Sequence, residues 1–176
     1  MKTLIASIVA LTVASSAFAA GSDSSAPPKP TETTQKCENG QIFDAGKATC
    51  VNPKESKLDD DALYNAAREL AYAGQYENAL NVLEVAADQN DPRILNYKGF
   101  ANRKAGRLDE GMAFYQAALS INPDYILARS YMGQALAGMG DIDAANEQLA
   151  EIRNRGGRDT WAYASLKQTL QGLGTY

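Results

Sequence analysis

The feature that most constrains this chain is that, from Leu58 onward, it repeats itself. Ala73-Gly74-Gln75-Tyr76-Glu77-Asn78-Ala79 returns 32 residues later as Ala105-Gly106-Arg107-Leu108-Asp109-Glu110-Gly111, and Gly140-Asp141-Ile142-Asp143-Ala144-Ala145 follows 34 residues after Gly106. Self-similarity at this period means stacked helical pairs, because no single pair buries its apolar face alone. After each glycine the same apolar spacing recurs: Tyr76, Ala79, Leu83, Ala86; Leu108, Gly111, Tyr115, Ala118; Ile142, Ala145, Leu149, Ile152. Offsets of three, seven and ten residues fall on one face of a helix, so each repeat has a second helix with a packing stripe. The glycine between the helices supplies a left-handed cap that other residues adopt poorly.

The first helices read Leu63, Ala66, Ala67, Leu70 in repeat one and Met132, Gly133, Leu136 in repeat three, with small residues where helices must approach closely. Asp91-Pro92 and Asn122-Pro123-Asp124 are helix-entry signals: an oxygen side chain to cap, and a proline whose missing N–H costs nothing there. Together these residues resemble the tetratricopeptide repeat, a helix-turn-helix of about 34 residues. Repeat two is most similar, with Gly99, Gly106, Leu108, Tyr115, Ala118 and Pro123 at the family's glycine, apolar, aromatic, alanine and proline places. The resemblance implies an all-α, right-handed superhelix of three repeats over about 58–90, 91–123 and 124–157. Lys98 and Asn102 at packing positions, Arg129 in place of an aromatic and Gly111 in place of alanine depart from the pattern. They predict a loosely packed central helix turned so that Ile94, Tyr97 and Ala101 face inward. Residues 158–176 are expected to form a capping helix and tail, because a stack of repeats leaves an apolar face uncovered at its end; Trp161 is then core packing.

Upstream of the repeats the chain changes character twice. Met1–Ala19 has Lys2, an apolar run from Leu4 to Val13 and the small-residue close Ala17-Phe18-Ala19, the pattern of a cleaved signal peptide too short to cross about 30 Å of hydrocarbon. Residues 20–36, rich in Ser, Thr, Pro and Lys, lack the apolar surface to offset ordering entropy and read as a disordered linker. Residues 37–53 hold the only two cysteines, Cys37 and Cys50. In an exported protein this pair predicts one disulfide, closing a hairpin with strands near Gln41–Phe43 and Ala48–Val51 and a turn with Gly46 at positive φ. A two-cysteine metal site is the competing reading. The order Cys-x-x-Gly-x-x-Phe…Cys-Val also resembles a fragment of the chitin-binding peritrophin-type module, with two of that module's six cysteines, and so implies a glycan contact; a stapled spacer is the plainer alternative.

The chain contains no histidine. That removes Ser-His-Asp and Cys-His catalysis and imidazole metal ligation and leaves carboxylate-only or Ser-Lys catalysis formally open. Acidic runs such as Asp59-Asp60-Asp61 read as a helix N-terminus instead, so no enzyme, metal site or cofactor is expected. The net charge of −4 becomes about −5 once Lys2 leaves with the signal, and no Lys/Arg run exists, which argues against nucleic acid or anionic lipid as partner. Export into the periplasm or medium, without membrane insertion, is expected. The family resemblance further implies a concave groove, lined by the first helices, that grips a partner protein or peptide. Its places fall on Asp61, Tyr64, Arg68 and Tyr72; Arg93, Asn96, Phe100, Arg103 and Lys104; and Leu127, Ser130 and Gln134. Basic and aromatic residues dominate that set over its one acid, and such residues are enriched at interface hot spots. The reading is a non-catalytic adaptor of the bacterial envelope; its alternative is a cell-wall or glycan adaptor working through the Cys37–Cys50 loop.

Overall fold

The structure, a computed structural model, describes residues 26–173. The expected signal peptide and residues 20–25 of the linker lie outside the described residues, as do residues 174–176. The rest of the linker is not featureless. Residues Glu32–Lys36 form a short helix, α1, with Thr31 as its N-cap. Composition misses this helix because its stabilising partner, Glu69, comes from a distant part of the chain.

The hairpin follows. Strands β1 (Ile42–Asp44) and β2 (Thr49–Val51) pair antiparallel, with Ile42 opposite Val51 and Phe43 opposite Cys50. Cys37 and Cys50 are disulfide-bonded, their Cα atoms 5.6 Å apart. The first strand is shifted one residue C-terminal of the expected Gln41–Phe43, the second starts one residue later than expected, and the turn's positive φ falls on Ala48 rather than Gly46. Asp44 explains the shape: its carboxylate accepts from the Lys47 N–H at 3.1 Å and pairs with the Lys47 ammonium. Ile42, fully buried, ties the hairpin to the helical core.

Six helices then form the three pairs: α2 (Asp60–Tyr72) with α3 (Tyr76–Leu83), α4 (Pro92–Lys104) with α5 (Leu108–Ile121), and α6 (Ile126–Gly138) with α7 (Ile142–Asn154). Gly74, Gly106 and Gly140 hold the left-handed conformation at the turn inside each pair. Asp59, Asp91 and Asp141 cap their helices through side-chain oxygens, relieving N–H groups left without intrahelical partners. A final helix, α8 (Trp161–Leu170), leans on both α6 and α7.

The central helix is not loosely packed. Ile94, Tyr97 and Ala101 face inward, but Lys98 and Asn102 are also buried, so α4 is enclosed from Ile94 to Asn102. Their polar atoms are paired. The Lys98 ammonium reaches Glu84 and Gln89 and lies over the Phe114 ring, and Asn102 donates to the Lys98 carbonyl while accepting from Arg107. Arg129 has a comparable role in repeat three: it donates to the Pro123 carbonyl and to Gln148, fastening the inter-repeat loop to α7.

Candidate binding groove

The first helices α2, α4 and α6 bring an aromatic floor together. Tyr64 meets Tyr97 edge-on at 5.5 Å, Tyr72 stacks on Phe100 at 5.3 Å, and Phe100 lies 4.9 Å from Tyr131, which in turn meets Trp161. The hydroxyls of Tyr72 and Tyr131 are 2.6 Å apart, so repeats one and three touch across repeat two. A chain of rings at these separations adds attraction beyond burial and ties the three repeats together. Burial pushes the Tyr97 and Tyr131 phenols well above their usual range, and Tyr115 up to about 12; all three remain neutral hydrogen-bonding groups.

The groove residues expected from the sequence divide into three groups. Ser130 and Gln134 are buried beneath α8, where the Ser130 hydroxyl donates to the Ala162 carbonyl at 2.7 Å and the Gln134 amide donates to Ser165 at 3.0 Å. With Leu127 also in the core, the third repeat presents none of its expected wall. The cap takes that surface because Gly133 lets it close: a Cβ there would lie 2.6 Å from Leu166. Trp161 accordingly packs against Tyr131, as expected of a capping residue.

Tyr64 and Phe100 form the second group, buried in the floor. Arg93 stands over the Tyr64 ring, but its guanidinium is taken by Asp91 and by Asp61 at 2.8 Å. Those carboxylates hold its pKa even higher than usual, so its charge is already answered within the chain.

The third group, Arg68, Tyr72, Arg103 and Lys104, is partly exposed. Arg68 donates to the Tyr97 hydroxyl at 3.0 Å, and Arg103 to Tyr115 and Gln134 while lying over the Phe100 ring. Burial, with Arg103 alongside, pulls the Lys104 pKa below its usual value. Tyr72, Tyr76, Phe100 and Lys104 line a cleft of about 350 Å³ at the Gly74 end of this surface. Aromatic walls and a desolvated ammonium suit an acidic or carbonyl-rich segment with an apolar side chain.

Two residues stand out once the geometry is known. Asn96 is fully buried, and neither its side-chain nitrogen nor its oxygen has a hydrogen-bond partner. An amide in that state costs free energy unless something supplies the missing donor and acceptor. Glu69, also buried, accepts from the backbone N–H groups of Thr31 (2.7 Å) and Thr34 (3.0 Å) and from both hydroxyls. Burial works against its charge, but those hydrogen bonds outweigh it and hold the carboxyl below the usual range. Asn96 was among the expected groove residues; Glu69 was not, because no local pattern links it to threonines 35 and 38 residues upstream.

Residues 102–170 match the tetratricopeptide repeat family. A TPR repeat-containing protein of Methanocaldococcus jannaschii is 34% identical over 79 residues, covering 45% of this chain and 24% of that protein. A TPR repeat-containing thioredoxin of Arabidopsis thaliana is 26% identical over 138 residues, covering 78% of this chain and 19% of that protein. The chain therefore spans a quarter or less of the length of these relatives.

Proposed function

This chain is a tetratricopeptide repeat protein, and from that premise we propose that it is a non-catalytic interaction module of the bacterial envelope, binding an extended segment of a partner protein on the concave face of repeats one and two. The observation that carries the reading is the cluster of partly exposed donors Arg68, Arg103 and Lys104 beside the ring-walled cleft. A peptide backbone offers a carbonyl acceptor at every residue, the complement of such donors. The rings of the cleft supply apolar contact for an adjacent side chain.

The test is Lys104→Glu, which reverses the charge at the cleft. Thermal stability should stay within about 0.5 kcal/mol of wild type, as for a surface substitution, while capture of peptides from a displayed random library should fall. Binding lost without loss of stability marks a functional position. Peptide capture at wild-type strength by the variant would sink the reading. Envelope placement rests on the sequence of residues 1–19 and on a disulfide that persists in oxidising compartments; fractionation of cells expressing the whole chain tests it.

A second reading concerns the stapled loop. Asn39, Gln41, Asn52, Lys54 and Asn81 line a cleft of about 420 Å³ between the hairpin and α3. Its four amides, each both donor and acceptor, suit sugar hydroxyl and acetamido groups, and Lys54 adds a further donor. Sedimentation with peptidoglycan, comparing wild type with Asn52→Ala and Asn81→Ala, tests it; equal sedimentation of all three chains counts against the cleft.

A further inference from the structure

We infer that the chain's own segment Ala26–Pro30 is a resident occupant of the first-repeat end of the groove, which a partner segment must displace; this rests on the groove being the binding surface. Arg68 and Glu69 are consecutive residues of α2, and they hold opposite ends of one stretch of chain. Glu69 fixes Thr31 and Thr34 at the start of α1. From there the chain runs back to Ala26, whose carbonyl accepts a hydrogen bond from the Arg68 guanidinium. The other side of that guanidinium donates to Tyr97, the fully buried centre of the aromatic floor. Pro27 and Pro28, next to the contact, are half-buried, whereas Lys29 and Pro30 are exposed.

The chemistry of the segment suits that place. Pro27, Pro28 and Pro30 have no N–H, so the stretch offers the groove carbonyl groups with few donors, and this side of the groove offers donors: Arg68, Arg103 and Lys104. Proline also holds the segment extended beforehand, so docking loses little conformational entropy. The anchor and the occupant are separable. Glu69 keeps α1 in place when Ala26 leaves, and a tether this short maintains Ala26 at an effective concentration on the order of millimolar. An incoming segment competes against that concentration, which lowers its apparent affinity by the fraction of groove already filled. A competing partner would present the same features: an extended, proline-rich stretch with a carbonyl for Arg68.

The experiment compares the full mature chain with its Pro27→Gly/Pro28→Gly variant, which leaves Glu69 and the repeats untouched. The probe is the synthetic peptide Ser-Ser-Ala-Pro-Pro-Lys-Pro-Thr, and the readout is the Arg68 Nε–H resonance. Loosening the tether should shift that resonance, and added peptide should return it, binding the variant about tenfold more tightly than wild type. Identical Arg68 resonances in the two chains, or equal peptide affinity for both, would overturn the inference. Library peptides that bind both chains equally tightly also overturn it, while leaving the groove reading intact. If no library peptide binds either chain, the groove reading fails, and a shifted Arg68 resonance still supports the docked tether.

Discussion

Gly99 and Tyr115 meet where α4 crosses α5: a Cβ built on Gly99 would lie 2.6 Å from the tyrosine ring and 3.0 Å from the Gly111 carbonyl oxygen. Tyr115 is fully buried and held by Arg103, so the ring has nowhere to retreat. Gly99→Ala should therefore destabilise the fold by about 1–3 kcal/mol through overpacking, read as a lowered Tm with unchanged helix content. Gly111→Ala should behave alike, since its Cβ would approach the Gly99 carbonyl oxygen at 3.0 Å. Wild-type stability in both variants would show that the helices can separate freely.

Gly106 tests a different cause. Its φ is +88° and no heavy atom lies within 4 Å of where a Cβ would stand. Gly106→Ala should cost about 1 kcal/mol from backbone conformation alone, and Gly106→Asn less, because asparagine tolerates the left-handed region. Equilibrium urea denaturation distinguishes them; a larger loss for asparagine than for alanine would contradict a conformational origin.

Gly106 and Gly111 differ in how far the sequence alone reveals them. Gly106 sits in a local repeat that could be read from spacing, and the turn has the expected conformation. Gly111 stands in the sequence only as a departure from the family's alanine, because its crowding against Gly99 exists only once α4 and α5 cross. The groove divides the same way. Its floor residues lie on the expected helices, yet Ser130 and Gln134 are lost to α8, whose position depends on Gly133 and Leu166 coming together. The order in residues 31–36 was invisible for the same reason: composition reports a segment's own apolar surface and cannot register a buried carboxylate elsewhere in the chain.

The disulfide joins α1 to the hairpin, since Cys37 is the C-cap of α1 and Cys50 lies in β2. Cys37→Ser with Cys50→Ser should release about 3 kcal/mol of loop-closure stabilisation in the chain-entropy model. Two short strands are marginal alone, so residues 38–51 should gain hydrogen exchange and protease sensitivity, while α4–α8 keep their protection. Cooperative loss of the whole helical signal at the same temperature as the hairpin would show instead that the hairpin is integral to the array.

Glu69 gives the tether a pH dependence whose sign follows from its hydrogen bonds. The carboxylate accepts from four donors on Thr31 and Thr34, and its folded pKa lies below the ordinary 4.5. A depressed carboxyl contributes stability that is complete above its unfolded pKa and disappears as pH falls through the folded value. Protection of the Thr34 amide, corrected for intrinsic exchange, should thus be level from neutral pH down to about 4.5 and collapse below it. Asp60 and Asp44 are also lowered, by backbone N–H groups of Asp88 and Ala87 and by the Lys47 side chain respectively, so their contributions are likewise lost on acidification. Glu69→Gln separates the effects: its amide turns one acceptor into a donor facing donors, so α1 should lose protection at every pH and its acid transition should vanish, while the transitions at Asp60 and Asp44 remain. An unchanged acid transition at Thr34 in Glu69→Gln would assign the pH dependence to another group.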